Sequence, residues 1–143
     1  MQDSFSDNIV IKIIQTAPEN DLIQLYQQAG WLEPSSDGQT VFSQNIVKKS
    51  AVFAGAFDGE KMIGMGRALS DLISDAYIQD VTVLTPYRGR GIGGKIIQLL
   101  VKKLQENGVD WIGLVGEPGT LSFYEKLGFG QLEGYLPLKY KDQ

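Results

Sequence analysis

The 143-residue chain has the size of one ordinary domain, and 43% apolar against 21% charged residues is the balance of a folded globular protein. Neither cysteine nor histidine occurs, which excludes disulfides, Cys/His zinc sites, thiol nucleophiles and every catalytic arrangement with histidine as base. A net charge of −4 argues against nucleic-acid binding; no apolar run approaches the roughly 18–20 residues of a membrane helix, and polar Met1–Asp7 does not read as a secretory signal, so a cytoplasmic protein without membrane partner is expected.

One domain over residues 1–143 is expected, without repeat or linker. Ile9 to Ile14 reads as a first strand. Thr16 and Glu19 have the spacing of a capping box, and Leu22, Ile23, Tyr26 and Ala29 follow at helical spacing up to Gly30. Trp31 to Gln39 is loop-like, with Pro34, Ser35, Ser36 and Gly38, and Thr40 to Lys49 reads as a second helix. Ala51–Phe57 and Met62–Ala68 form a predicted hairpin around Asp58-Gly59. Tyr77–Leu84 is the strongest strand pattern. The first half is therefore an antiparallel meander with helices inserted near its start.

A glycine-rich segment follows Pro86, and Lys95–Glu106 then reads as a helix with Ile96, Ile97, Leu99, Leu100, Val101 and Leu104 apolar. Trp111–Val115 is expected as a short buried strand, parallel to Tyr77–Leu84 through that helix. Thr120–Leu127 is a last predicted helix, closed by Gly128, and a final strand is expected over about Gly130–Tyr140, with Pro137 at an edge or bulge.

Arg88-Gly89-Arg90-Gly91-Ile92-Gly93-Gly94 runs directly into a helix. Helix N-termini expose unpaired N–H groups and a partial positive charge, and glycine lets backbone approach an anion closely. The segment suits a pyrophosphate, with Arg88, Arg90 and Lys95 adding charge. A solvated basic turn is the plainer alternative. Gly89, Gly91 and Gly94 also satisfy the dinucleotide fingerprint, but Thr85-Pro86-Tyr87-Arg88 separates them from the strand. A nucleotide phosphate loop fails because Ile96 follows Gly94-Lys95.

Val83 through Gly94 resembles the acetyl-CoA-binding motif of the GNAT superfamily of N-acetyltransferases, Arg/Gln-x-x-Gly-x-Gly/Ala, at Arg88, Gly91 and Gly93. Phe123-Tyr124-Glu125-Lys126-Leu127-Gly128-Phe129 is similar to a second signature of that family. The resemblance implies a mixed α/β single domain: a splayed, mostly antiparallel sheet flanked by helices, with a parallel β-α-β core at the cofactor site. It implies acetyl-CoA as co-substrate, its pantetheine pairing with backbone near Val81, Thr82 and Val83 and its pyrophosphate on the N–H groups of Gly89, Arg90, Gly91, Ile92, Gly93 and Gly94. Glu117 and Thr120 stand where family members often carry Asn and Ala.

The implied chemistry is direct transfer to an amine in a ternary complex, with no metal. A primary amine is mostly protonated at neutral pH, so a base must act. Asp80 is the first candidate, with Asp75, Glu117 and a Tyr77-bound water behind it; the alternative for Asp80 is pairing with Arg67. Tyr124 is the candidate acid for the departing thiolate. Trp31 and Trp111 are expected in the core, with an acceptor-pocket wall as the alternative for Trp31. Residues 67–71 and 77–81 resemble a small subgroup with arylalkylamine-type and protein-amine members, which points to a primary amine acceptor. A non-catalytic acyl-CoA sensor and a dinucleotide-binding module are the competing readings, and a homodimer is left open.

Overall fold

The computed structural model describes residues 8–33 and 39–142. The expected loop at Pro34–Gly38 and the polar start at Met1–Asp7 lie outside the described residues. The elements run β1 (Ile9–Ile13), α1 (Glu19–Gln28), α2 (Gln39–Lys48), β2 (Val52–Asp58), β3 (Lys61–Ser70), β4 (Asp75–Val83), α3 (Ile92–Glu106), β5 (Trp111–Gly113) and α4 (Leu121–Glu125).

The five strands form one sheet in chain order. β1 to β4 are antiparallel neighbours, and β5 joins β4 in parallel through α3. The hairpin closes through Gly59-Glu60, with Asp58 paired to Lys61. β2 and β3 carry consecutive buried residues, Val52–Ala56 and Met62–Gly66, because helices cover both sheet faces there. Gly66 faces α3: a β-carbon there would meet Ile96 at 2.8 Å and Leu100 at 3.2 Å. Its neighbour Arg67 reaches the opposite face, toward Tyr26 of α1. Ile96, Ile97, Leu100 and Leu104 form the buried stripe of α3, and Leu22, Leu25 and Tyr26 that of α1.

Four local expectations are corrected. The capping box does not form: α1 starts after Pro18, whose φ of −60° is preset for a helix start, and no side-chain cap bond is made. α3 begins at Ile92 rather than Lys95, so Gly93 and Gly94 lie in its first turn. Trp111–Gly113 is a strand only three residues long and is partly exposed, since beyond Tyr77↔Gly113 the two strands separate. Finally, 130–140 forms no strand; a strand needs a partner ladder, and the described residues offer this segment none.

Candidate active site

β4 does not run straight. Met65 pairs with Thr82 and Arg67 with Gln79, so Asp80 and Val81 together oppose Gly66. This is a β-bulge, which bends the strand and frees ladder groups. Its turning residue is Asp80, at φ +58°, a conformation that costs a non-glycine residue roughly 1–2 kcal/mol. Two partners hold it. Arg67 Nε donates to Asp80 Oδ2 at 2.7 Å, and Tyr26 Oη donates to the same oxygen at 2.7 Å. Burial, then the Asp80 carboxylate, pushes the Tyr26 phenol well above its ordinary value, so it remains a donor.

The bulge turns Val81–Val83 away from β5, and a cavity of about 970 Å³ opens between the strands. β4 lines it from Tyr77 to Val83, and Leu114, Val115 and Glu117 line it beyond β5. The end of α1 contributes Gln28, Ala29 and Trp31. Gly89, Gly91, Ile92, Gly93 and Gly94 close it at the start of α3, and Thr120, Phe123 and Tyr124 face it from α4.

Gly91 precedes α3 in the left-handed conformation, φ +79°. A β-carbon there would meet no protein atom within 4 Å, so the turn presents bare backbone and free first-turn N–H groups to open space. That is a cradle fitted to an anionic oxygen. Gly94 serves a further purpose. A β-carbon at Gly94 would meet Leu127 at 3.3 Å, tighter than most such contacts, while one at Gly93 would meet Phe123 at an ordinary 3.7 Å, so Gly94 lets α4 and the turn after it settle on the start of α3. The two sequence motifs are thus one packed unit.

Of the three cations expected at the cradle, the cavity wall includes only Arg88. Arg88 is anchored: Nε donates to the Val83 carbonyl at 2.8 Å. With the Gln28 amide oxygen turned toward it, Nη2 donates to that oxygen at 3.0 Å. Arg90 and Lys95 instead line a separate, smaller cavity with Ile9, Ile11, Ile92 and Leu99. Lys95 is carried there by the first turn of α3, which spreads successive residues around the axis, and Arg90 by the turn that precedes the helix.

Tyr124 is half-buried among Phe123 and Phe129, with ring centroids 5.0 and 5.9 Å away. Burial first, and the Glu117 carboxylate second, raise its hydroxyl above the ordinary tyrosine value. It therefore carries its proton at neutral pH. The 117–120 loop curls into a turn, with Thr120 Oγ1 donating to the Glu117 carbonyl at 2.6 Å. Neither tryptophan is in the core. Trp31 is 42% and Trp111 39% exposed; Trp31 packs edge-on to Tyr26 and lines the cavity, and Trp111 packs on Tyr77. The sequence reading missed the Tyr26 hydroxyl and Gly66. A tyrosine in an otherwise aliphatic helix stripe was the available signal for the first.

Residues 14–129 match the model of the acetyltransferase (GNAT) family. The chain belongs to that family. It is 32% identical over 116 residues to the uncharacterized N-acetyltransferase ycf52 of Pyropia yezoensis, a match covering 76% of this chain and 63% of that protein. The match thus spans less than two thirds of that relative. A GNAT family acetyltransferase from Streptococcus pneumoniae TIGR4 superposes with a TM-score of 0.79 at 25% identity, covering 94% of this chain and 98% of that one. Glucosamine-6-phosphate N-acetyltransferase of Arabidopsis thaliana shares the fold, with a TM-score of 0.72 at 21% identity over 94% of this chain and 99% of that one. The GNAT fold accounts for the five-stranded, mostly antiparallel sheet and the parallel β4-α3-β5 unit.

Proposed function

We propose that this protein transfers an acetyl group from acetyl-CoA to a primary amine by direct attack in a ternary complex. The observation that carries this reading is the cavity itself. One wall is a glycine turn opening a helix, and a protonated tyrosine faces the same space. Its volume suits an extended pantetheine arm with an acceptor beside it.

The backbone of Gly89–Gly94 is assigned to the pyrophosphate and that of Val81–Val83 to the pantetheine amides, with the bulge supplying unpaired ladder groups. Acetyl-CoA brings a thioester: the amine nitrogen bonds to its carbonyl carbon, the C–S bond breaks, and the sulfur leaves as thiolate. Tyr124 gives that sulfur its proton and is reprotonated from solvent. The nitrogen sheds its proton through water to Glu117, a carboxylate on the same cavity wall. Asp80 is reassigned: its Oδ2 is already shared by Arg67 and Tyr26, which is the pairing weighed against a basic role, so it acts as a positioning residue for the bulge. Trp31, Tyr77 and Glu117 give the acceptor aromatic and acidic surroundings, which favour a cationic amine over an acidic one.

The test is thiol release from acetyl-CoA with a panel of amines, run beside calorimetry with acetyl-CoA and with NAD. Acceptor-dependent thiol release together with acetyl-CoA binding is the expected result. Acetyl-CoA binding without release for any amine would favour the sensor, and NAD binding alone would favour the dinucleotide module.

A further inference from the structure

β4 and β5 run side by side with Asp75 opposite Trp111 and Tyr77 opposite Gly113, and then part. Alternate residues of a strand share a sheet face, so these four stand on one side. Gln79 stands there too, and its ladder partner Arg67 reaches toward Tyr26, so this is the face on which α1 packs. Where the strands part, Trp111 folds back over Gly113: a β-carbon at 113 would come within 2.5 and 2.6 Å of the indole ring. The ring lies there only because residue 113 has no side chain. Tyr77 packs against it, with centroids 5.4 Å apart and planes at 59°. Both rings are partly exposed, and Tyr77 lines the active-site cavity together with Trp31.

Core packing does not account for this corner. A tryptophan held against bare backbone beside a cavity, with its ring open to solvent, is surface available to a ligand. Charge says which kind. Asp75 stands directly across the ladder from Trp111, and Glu117 lines the cavity. No lysine or arginine occurs in 68–87 or 107–120, the stretches that carry both strands. The face of an aromatic ring is itself electron-rich and attracts a cation, tryptophan most strongly. An aryl group would gain from stacking alone, whereas a cation gains from the rings and from the carboxylates.

We infer that Trp111 and Tyr77 form a platform for a second cationic nitrogen of the acceptor, so that the favoured substrate is an extended diamine rather than a simple monoamine. This rests on the acetyl transfer proposed above. One nitrogen attacks the thioester, while the other stays protonated on the platform, faced by Asp75, and orients the chain. Tyr77 lies four residues before Val81, on the order of 10 Å along the strand, so several methylenes separate the two nitrogens. Position 113 sets the specificity indirectly, because any side chain there lifts the indole from its seat.

Steady-state thiol release with hexamethylenediamine, hexylamine and phenethylamine tests this, beside a direct measurement of binding. The chain has two tryptophans, so Trp31→Phe leaves the fluorescence of Trp111 alone to be followed as each amine is added. The parent is expected to favour the diamine over hexylamine in kcat/KM by about fivefold or more. Trp111 emission is expected to shift at a lower concentration of diamine than of hexylamine. Gly113→Ala displaces the ring without altering its chemistry, and Asp75→Asn removes the charge. In each, the diamine preference is expected to fall to near unity, through a rise in KM rather than a fall in kcat, with unchanged circular dichroism. A parent without that preference, a preference that survives both variants, or an emission indifferent to the diamine overturns the inference. So does a preference for phenethylamine that Gly113→Ala abolishes, since the platform would then seat a ring. Thiol release with no amine, beside an intact emission response to the diamine, would remove acetyl transfer and leave the platform standing.

Discussion

Gly91 and Gly108 bracket α3 at opposite ends, and their comparison isolates the cradle. Gly91 has φ +79° and Gly108 φ +90°, and at neither would a β-carbon meet a protein atom within 4 Å. Alanine at either position therefore costs backbone strain alone, about 1–2 kcal/mol. For a chain of this size that is a fall in Tm of about 3–8 °C. The two variants should be nearly equal in stability. They differ in what the added methyl faces. Gly91 lies on the cavity wall and Gly108 does not. A methyl at 91 holds an anionic oxygen about an ångström or more farther from the first-turn N–H groups, and losing two such charge-assisted bonds at about 1.5–3 kcal/mol each weakens binding by at least a hundredfold.

The assay is isothermal titration of each variant with acetyl-CoA, beside urea denaturation of the free proteins. Gly91→Ala should lose affinity out of proportion to its stability, while Gly108→Ala should keep the parent affinity. Equal affinities for the two variants would refute the cradle. Equal losses would show that strain in α3, rather than contact with the anion, governs binding.

Tyr124→Phe should lower kcat by about 10²–10⁴-fold and leave acetyl-CoA affinity nearly unchanged, because the ring is kept; unchanged turnover with chemistry rate-limiting removes Tyr124 as the acid. Asp80→Asn should destabilise by about 1.5–3 kcal/mol through loss of the charged bond to Arg67, and Tyr26→Phe by about 1 kcal/mol, both read from urea midpoints. Alkaline pH should be destabilising. Tyr26, Tyr87 and Tyr124 are all raised in the folded state, the first and third chiefly by burial and Tyr87 chiefly by its bond to Asp58. Above about pH 10 the unfolded chain releases phenol protons that the native state retains, so stability is full below that pH and falls as pH rises beyond it. Tyr26→Phe should make that fall shallower, and a pH-independent urea midpoint from 9 to about 11 would contradict the shifts.

The cradle was legible from sequence because its physics demands a visible residue. Left-handed turns at 89 and 91 favour glycine strongly and a tight contact with Leu127 favours it at 94, and a long apolar stripe announces the helix behind them. The bulge was not legible for the converse reason. Its left-handed residue is an aspartate, which carries no such mark, and the compensating glycine sits across the ladder at Gly66. The last segment shows a different limit. Alternation along 135–140 reports that one face is apolar, which is true, but it does not report a partner, and the ladder expected there is missing. Trp31 and Trp111 were expected inside on composition alone, whereas both are partly exposed and one lines the cavity.

Asp80 joins the stability of this fold to its proposed chemistry. A strand that ran straight through position 80 would keep pairing with β5, and no cavity would open. The bend requires a residue at φ +58°, and glycine would adopt that conformation with less strain. Aspartate costs roughly 1–2 kcal/mol more there. It also brings a carboxylate that ties β4 to Arg67 of β3 and Tyr26 of α1 through one oxygen. Those bonds offset the strain and lock the bend in place. Glycine at 80 would relieve the backbone but leave Arg67 and Tyr26 without their shared acceptor, and would free the strand to move. The strained residue thus favours a cavity whose walls are rigid before any ligand arrives, so that less of the binding energy is spent on ordering them.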